Sequence, residues 1–327
     1  MKAIVITAPG GPEVLLLKDV PTPVPSKGEV RVRVHATAVN RADLLQRAGH
    51  YPAPADAPAD IPGLELSGEV DALGEGVTEL AVGDRVFGLA GGGAYAEQIV
   101  VHARTLARIP SDLSFTDAAA IPEAFLTAYD AMVTQARLSA GETVLVHAVG
   151  SGVGTAAVQI ARAIGARAVG TARTASKLDR ARSLGMSEGI VATNGAFASE
   201  VKRVTGDRGV DVVLELVGGS YLAEDLGCMA LRGRLVLVGL LGGARVELDL
   251  GAVLRKRLEI RGTVLRSRPL EEKIAVAAVL ARNLAPLFGS GVLRAVVDRV
   301  IPLENASLAH AYVATNEGFG KVVLKVA

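Results

Sequence analysis

The sequence predicts an α/β protein in which a doubly wound parallel sheet is inserted between two parts of a β-rich domain. Three observations predict this class. Short strand patterns separated by Pro and Gly clusters fill residues 1–120. Strands and helices then alternate as far as residue 263, which is typical of right-handed βαβ units in a parallel sheet. Strand patterns return in the final segment, 268–327, which we therefore assign to the first domain.

The composition indicates a globular chain without a strongly charged partner. Half of the 327 residues are hydrophobic, which is enough for a sizeable core and two domains. The net charge is +1 with both signs interspersed, so neither nucleic acid nor an anionic membrane is indicated as a partner. Cys228 is the one cysteine, and no apolar run approaches the ~20 residues of a membrane span. A reducing cytoplasm is the expected compartment.

The first β-rich segment contains six strand patterns and one helix. The strands are predicted at 2–7, 15–20, 29–38, 64–72, 85–87 and 94–101. A helix at 41–48 interrupts them and leads into Tyr51 and a loop rich in Pro and Ala that ends at Pro62. Surface loops of this kind often form the rim of a site.

The alternating segment begins with a predicted helix at 123–137. The following elements are a strand from 144 to the turn at Gly150, a helix with apolar positions from 156 to 164, strand 167–172, helix 176–184, strand 189–192, helix 196–205, strand 210–215, helix 220–229 and strands 234–240 and 258–263. The tail has a helix of 17 residues that ends at Leu287, a strand at 295–301, a helix at 306–316 and a strand at 321–326.

A glycine turn joins the first strand of this segment to its helix. Gly150, Ser151, Gly152 and Gly154 follow an apolar strand and precede a helical pattern. Such a turn directs backbone N–H groups and the positive helix end at one point, where glycines admit a pyrophosphate. The dinucleotide fingerprint is incomplete, because Val149 and Ser151 occupy its first two glycine positions. A merely tight strand-to-helix turn is the alternative.

The second strand of the segment is where a dinucleotide site selects its cofactor, ~20 residues beyond the glycine turn. An NAD site would place Asp or Glu there. This chain has Thr171, Arg173, Thr174, Ser176 and Lys177, whose cations and hydroxyls complement a 2′-phosphate. The cluster predicts NADPH. The alternative is an ordinary solvated helix start, although cations at that end oppose the helix dipole.

Several longer motifs resemble one protein family. They are residues 40–47 (NRADLLQR), 118–128 (AAAIPEAFLTA), 147–157 (HAVGSGVGTAA) and 320–324 (GKVVL). Together they resemble the zinc-free quinone oxidoreductase branch, the zeta-crystallin-like enzymes, of the medium-chain dehydrogenase/reductase superfamily. Within that branch the resemblance is closest to the tumour-suppressor-inducible members. It implies a Rossmann domain at 122–267 and a GroES-like catalytic domain at 1–121 and 268–327.

The resemblance also implies a set of site residues. Those expected to line the NADPH site are Asn40, Thr127, Ser151, Gly152, Val153, Thr171, Arg173, Lys177, Val217, Gly239, Leu240 and Leu241. Of these, Val217 and 239–241 belong to the nicotinamide half. Close relatives have a tyrosine near the 2′-phosphate where this chain has Ala192, so the preference for NADP is expected to be weaker.

The zinc sites of related enzymes cannot be built in their known form. Zinc-dependent relatives have a cysteine ligand at the position of Asn40, and Cys228 is the sole thiol. The five histidines lack the spacing of a metal motif. We therefore predict no metal. Glu65 lies where zinc relatives keep an acid near the pocket, and both a functional role and an ordinary strand position remain open.

The function expected is zinc-independent reduction of quinones or related electrophilic enones by NADPH. The alternatives are a non-catalytic, crystallin-like NADPH-binding protein and an enoyl or alkenal reductase of the same superfamily. Asn40 and Tyr51 are the candidate catalytic residues that steer the acceptor, with the Asn40 amide as a donor to the developing oxyanion. Asn40 acting only as a helix N-cap is the alternative. The last strand of the inserted sheet predicts a homodimer, because its edge needs covering.

Overall fold

The computed structural model describes residues 1–192 and 194–326, which form two compact units. One unit contains Met1–Leu126 and Leu265–Ala327, and the other contains Thr127–Val264. The domain boundaries predicted from the sequence, at 121/122 and 267/268, lie within a few residues of these divisions and remain a prediction.

The strands, in chain order, are β1 (Lys2–Ile6), β2 (Leu15–Asp19), β3 (Glu29–Val39), β4 (Glu65–Leu73), β5 (Arg85–Leu89), β6 (Gln98–His102), β7 (Leu106–Arg108), β8 (Thr143–Val146), β9 (Arg167–Ala172), β10 (Glu188–Val191), β11 (Val210–Glu215), β12 (Met229–Leu237), β13 (Glu259–Gly262), β14 (Val297–Pro302) and β15 (Lys321–Lys325).

The helices are α1 (Arg41–Arg47), α2 (Phe115–Ala119), α3 (Pro122–Tyr129), α4 (Gly152–Ala163), α5 (Ala175–Arg182), α6 (Ala198–Val204), α7 (Tyr221–Cys228), α8 (Leu250–Lys256), α9 (Leu270–Val279), α10 (Ala285–Gly289) and α11 (Ala306–Thr315). Within residues 1–192 and 194–326, no helix has the length and apolar character needed to cross a membrane.

The 127–264 unit is built on a six-stranded parallel sheet with strand order β10-β9-β8-β11-β12-β13. The strand order reverses at β8, whose neighbours are β9 on one side and β11 on the other. Ligands of such sheets bind beyond the carboxyl ends of the strands at this reversal point. The predicted doubly wound Rossmann sheet is confirmed.

The other unit contains a seven-stranded sheet in which the chain's two ends meet. Its strand order is β14-β15-β3-β4-β5-β7, and β6 also pairs with β3. Antiparallel pairing of β15 with β3 sets Val322 opposite Val39. Lys321 and Asn40, the residues immediately beyond that pair, therefore lie close together although they are far apart in the sequence.

Some elements differ from the sequence prediction. The helix predicted at 123–137 is α3 followed by a π-helical turn at Asp130–Gln135, and the long helix before 287 is likewise divided by a π turn at Leu280–Leu284. The strand predicted at 94–101 begins at Gln98 as β6, and Ala96 before it forms an isolated antiparallel bridge with Ala3. The prediction leaves α2, α8 and β7 as loops. Two of them carry readable capping signals, since the Ser114 hydroxyl accepts from the Asp117 N–H at 3.0 Å and the Asp249 carboxylate from the Gly251 N–H at 2.8 Å.

Candidate cofactor and active-site residues

The glycine turn forms the start of α4, as predicted. Ser151 is the N-cap residue, and its hydroxyl accepts a hydrogen bond from the Gly154 N–H at 3.0 Å. A Cβ on Gly154 would lie 2.6 Å from the carbonyl oxygen of Ala148, so only glycine lets the helix pack this closely on the turn. Gly152 and Val153 follow Ser151 in the first turn, where the backbone N–H groups form an anion-binding end.

The predicted phosphate cluster lies at the end of β9 and the start of α5. Arg173, Thr174 and Ser176 are exposed, Lys177 is half-buried, and the two hydroxyl groups are 3.3 Å apart. A charge of +2 with neighbouring hydroxyls at a helix N-terminus matches a 2′-phosphate, so this donor set fits NADPH.

Thr171 and Ala192 occupy less accessible positions. Thr171 is buried, and its hydroxyl lies 2.8 Å from Nδ1 of His147. The Thr171 hydroxyl is therefore already engaged inside the protein, and a cofactor contact by Thr171 would have to come from its backbone. Ala192 is buried beside the end of β9, where its N–H donates to the carbonyl oxygen of Ala172 at 2.9 Å.

Two loops that follow β11 and β12 are joined through their backbones. The Gly242 N–H donates to the carbonyl oxygen of Val217 at 2.6 Å. A Cβ on Gly239 would lie 2.5 Å from the carbonyl oxygen of Leu216, so the two loops meet backbone to backbone. Leu240 and Leu241 are exposed at 52% and 56%. The structure thus brings the predicted nicotinamide residues Val217 and 239–241 together, while Thr127 is a buried residue of α3.

The 1–126 and 265–327 unit holds a buried ion pair formed by Glu65 and Lys321. The Lys321 ammonium Nζ lies 2.7 Å from Oε1 of Glu65, and it also donates to Oδ1 of Asn40 and to the carbonyl oxygen of Val39. The other Glu65 oxygen, Oε2, accepts from the Glu123 N–H at 2.8 Å. Glu65 is fully buried, and both of its carboxylate oxygens have partners within the protein.

Asn40 is the N-cap residue of α1, and its side chain belongs to this ion pair. Its Nδ2 donates to Oε1 of Glu65 at 2.8 Å and to the carbonyl oxygen of Ala38 at 3.2 Å. The carboxylate of Asp43 accepts from the Asn40 backbone N–H at 2.8 Å, as one half of a capping box. Both amide hydrogens of Asn40 thus have acceptors within the protein. The expected donation to a substrate oxyanion would have to displace one of them.

Tyr51 and Glu123 are half-buried polar groups of the same unit. The Arg266 guanidinium carbon lies 5.3 Å from the centre of the Tyr51 ring, and Arg266 also donates to Oε1 of Gln46 at 2.6 Å. Burial raises the pKa of the Tyr51 phenol, which stays neutral. Burial, with the nearby Glu65 charge second, raises the pKa of Glu123 to about 8. The Glu123 carboxyl is therefore protonated at neutral pH.

A second buried cluster lies at the carboxyl ends of the parallel strands. His147 follows β8, Glu215 ends β11, and Asp225 lies on α7. One ligand atom from each falls within 4.8 Å of the others. The His147 Nε2 atom is 2.8 Å from Oδ1 of Asp225 and 3.8 Å from Oε2 of Glu215.

Sequence reasoning did not select Lys321, Glu123, Arg266, Glu215 or Asp225. Lys321 and Glu123 lie within the motifs 320–324 and 118–128. Those motifs indicated the family resemblance, but neither residue was given a role from them. Glu215 and Asp225 are acidic residues in apolar strand and helix patterns, a combination that marks buried groups needing partners.

A parallel sheet with a glycine turn at its reversal point and two cations beyond the next strand is the arrangement typical of a dinucleotide-binding domain. Comparisons with known proteins agree. The alcohol dehydrogenase GroES-like domain model matches residues 26–111, and the zinc-binding dehydrogenase model matches residues 152–281. Quinone oxidoreductase from Lama guanicoe is 36% identical over 99% of this chain and 97% of its own length.

Two solved structures extend this similarity. Escherichia coli quinone oxidoreductase complexed with NADPH superposes with a TM-score of 0.89 at 30% identity, over the full length of both chains. An NAD-dependent alcohol dehydrogenase gives a TM-score of 0.88 at 36% identity, also over both full chains. The chain therefore belongs to the medium-chain dehydrogenase/reductase superfamily, among the homologues of quinone oxidoreductase. It is an NADPH-dependent oxidoreductase.

Proposed function

We propose that the protein reduces quinones with NADPH and uses no zinc. The observation that carries this proposal is the Lys321 ammonium, which is bound by Glu65, Asn40 and the carbonyl oxygen of Val39. Asn40 stands where zinc-dependent relatives have a cysteine ligand. In this chain the Lys321 ammonium already neutralises the nearby Glu65 carboxylate. A divalent ion there would have to expel a buried ammonium and would find no thiolate.

NADPH supplies the hydride when it is bound, and the chain's own residues position the reactants and handle charge. We propose that Ser151, Gly152 and Val153 hold the pyrophosphate, that Arg173 and Lys177 hold the 2′-phosphate, and that the loops 216–219 and 239–243 border the nicotinamide. The remaining predicted cofactor contacts are those of Thr127 and Thr171, which we propose line the cofactor site without a side-chain hydrogen bond to it, and that of Asn40.

Asn40 and Tyr51 are proposed to steer the acceptor, with Glu123 as a proton source that the sequence did not indicate. Asn40 acts by holding Glu65 and Lys321 in place, since both of its amide hydrogens are already engaged. The protonated Glu123 carboxyl supplies a proton to the reduced acceptor oxygen. Water is able to do the same for a quinone, so Glu123 accelerates the reaction without being obligatory.

We further propose a homodimer formed through the edge of β13. This strand pairs only with β12 among the described residues 1–192 and 194–326. Exposed apolar side chains lie in the strand and directly after it, Ile260 at 37% and Val264 at 53%. A second copy is the occupant that fits, because two-fold antiparallel pairing centred on Ile260 would set Glu259 opposite Arg261 of the partner subunit. The cytoplasm remains the expected compartment.

NADPH oxidation in metal-free buffer tests the function. With 1,2- and 1,4-quinones, loss of the NADPH absorbance should depend on the acceptor and should be unaffected by a chelator. Tight NADPH binding with no turnover of any quinone or enone would instead favour the crystallin-like alternative. Turnover of conjugated enones alone would favour an enoyl or alkenal reductase. Activity that is lost on chelation and restored by Zn²⁺ would contradict zinc independence.

A further inference from the structure

Four buried polar side chains lie together at the carboxyl ends of three parallel strands. The Thr171 hydroxyl lies 2.8 Å from Nδ1 of His147, and His147 Nε2 lies 2.8 Å from Oδ1 of Asp225. Oε1 of Glu215 accepts from the backbone N–H groups of Val217 at 2.5 Å and Gly218 at 2.8 Å. All four side chains are buried.

The imidazole of His147 is neutral. Burial lowers the pKa of His147 to about 4, and the rings of Phe197 and Tyr221 pack on it with centroid distances of 4.8 and 5.0 Å. A neutral imidazole has one N–H. Because the Thr171 hydroxyl is able to donate and the Asp225 carboxylate only accepts, the hydrogen lies on Nε2 and points to Asp225.

One carboxylate oxygen of Glu215 and one of Asp225 can form a hydrogen bond with each other only if one of the two carries a hydrogen. Oε2 of Glu215 and Oδ2 of Asp225 are buried and find no N–H or O–H donor among residues 1–192 and 194–326. One carboxylate oxygen of Glu215 lies within 4.8 Å of one of Asp225. Two ionised carboxylates at this distance would repel each other and would both be poorly solvated, whereas one shared proton satisfies both atoms.

We infer that Glu215 and Asp225 share one proton, and that the protonated Glu215 is a positioning residue that orders the loop Val217–Gly218. This inference rests on the proposed place of that loop beside the nicotinamide. In the resulting order, Thr171 donates to His147, His147 donates to Asp225, and Glu215 donates to Asp225. Oε1 of Glu215 is then free of the proton and accepts both loop N–H groups.

The position of Glu215 links this proton to both loops of the proposed nicotinamide site. Val217, whose N–H it accepts, receives the Gly242 N–H on its own carbonyl oxygen at 2.6 Å. Gly218 has a φ of 73°, so the turn depends on glycine and on this anchor. Loss of the proton would add a second negative charge behind Val217 and would weaken the anchor through repulsion between Glu215 and Asp225.

Other ionisable groups around the pair do not replace this proton. The groups that act on the pair are His147 after β8 and Tyr221, Glu224 and Cys228 on α7; beyond them, Arg173 after β9 acts on Tyr221 and Lys256 on α8 acts on Cys228. The Lys256 ammonium is held by three carbonyl oxygens, and the Glu224 carboxylate by two N–H groups of α6 and its cap. Burial raises the pKa of Glu215 and that of Asp225, each to about 7.

The test is the pH dependence of NADPH binding in the wild type and in Glu215→Gln. A glutamine keeps the shape, accepts both loop N–H groups and donates permanently to Asp225. Between pH 6.5 and 8.5 the wild-type Kd should rise roughly tenfold more than that of Glu215→Gln, as expected for a pKa that differs by about one unit between free and bound protein. Both proteins share the ionisation of the 2′-phosphate, so their ratio isolates the pair. Equal pH dependence would overturn the inference.

Three further variants separate a shared proton from simple packing. Asp225→Asn also supplies a permanent hydrogen, and it should bind NADPH with little pH dependence. Glu215→Ala should bind weakly at every pH. In the double variant Glu215→Gln/Asp225→Asn, two amide NH₂ groups face each other. Its loss in free energy of unfolding should therefore exceed the sum of the losses of the two single variants. Additive behaviour of the double variant would overturn the inference.

A metal ion in place of the proton is the remaining outcome. Mn²⁺ or Zn²⁺ that raises the Tm of the wild type but not of Glu215→Gln would show that the three side chains bind a cation, and it would overturn the shared proton. No change of Tm with either ion, or after dialysis against a chelator, supports it. Because NADPH binding is read without a quinone, absence of quinone turnover would refute the proposed function and leave this inference standing.

Discussion

The Nζ atom of Lys321 lies 2.7 Å from Oε1 of Glu65, and both side chains are buried within the same unit. The two residues come from opposite edges of β3, because β15 and β4 both pair with that strand. An ion pair of this kind is costly to break, since removing one partner leaves the other charged and unsolvated.

Removal of the ammonium should destabilise the protein strongly. Lys321→Met is expected to lower the free energy of unfolding by about 3–5 kcal/mol, because Glu65 would keep a buried charge without its partner. Urea unfolding measures this loss. The control is Glu65→Gln/Lys321→Met, in which no charge is left and most of the loss should be recovered. A double variant as unstable as Lys321→Met alone would contradict the argument.

Glu123 should give turnover an alkaline limit. Its pKa is raised to about 8 by burial, so the carboxyl is protonated below that pH and loses its proton above it. At saturating NADPH, kcat for a quinone should therefore fall as pH rises through about 8. Glu123→Gln should be slower by about 10²-fold, the usual effect of one general acid, and its pH profile should be flat in this range. An unchanged profile in Glu123→Gln would remove Glu123 from the reaction.

Arg173 and Lys177 should select NADPH over NADH. Two charge-assisted hydrogen bonds to the 2′-phosphate are worth about 1.5–3 kcal/mol each, so Arg173→Ala/Lys177→Ala should weaken NADPH binding by roughly 10² or more. NADH lacks the phosphate and should bind as before. Titration calorimetry with both cofactors makes the comparison, and equal losses for the two would mean that these side chains do not read the phosphate.

The proposed dimer predicts a charge-swap result. Glu259→Arg would set like charges opposite each other across the β13 edge and should shift the protein from dimer towards monomer in light scattering at micromolar concentration. Its effect within one chain should be small, because the side chains of Glu259 and its ion-pair partners Arg137 and Arg261 are 39–60% exposed. Glu259→Arg/Arg261→Glu should restore the dimer. A wild-type monomer would refute the proposal outright.

Stability should respond to pH through the Glu215 and Asp225 pair. Because the pKa of the pair is higher in the folded protein than in the unfolded chain, its contribution is fully present below about pH 4 and is lost as pH rises towards 7. The slope is about 1.4 kcal/mol per pH unit for one proton. Urea unfolding from pH 5 to 7 should show this slope in the wild type relative to Glu215→Gln. Parallel curves would mean that no proton is retained.

The local patterns of the sequence determined the parts of this protein that depend on neighbouring residues. Strand, glycine turn and helix in succession predicted the Rossmann unit and its tight turn at 150–154, because turn chemistry and hydrophobic period act within a few residues. The polar cluster that begins at Thr171 could also be predicted, because its residues are neighbours in the sequence. Helix ends were less certain: the π turn at Asp130–Gln135 follows a helix pattern that the sequence continues without a break.

Only the tertiary structure decided which side chains face one another. Asn40 was readable as a helix cap, but the pairing of β15 with β3 turned its amide towards Lys321 and Glu65. Likewise, the parallel arrangement of β8, β9 and β11 brought His147 to Thr171 and Glu215, and α7 placed a carboxylate oxygen of Asp225 within 4.8 Å of both His147 and Glu215. These partners come from separate strands and helices, and strand order and register set their distances. Their burial, and hence their protonation, follows from that packing rather than from any local pattern.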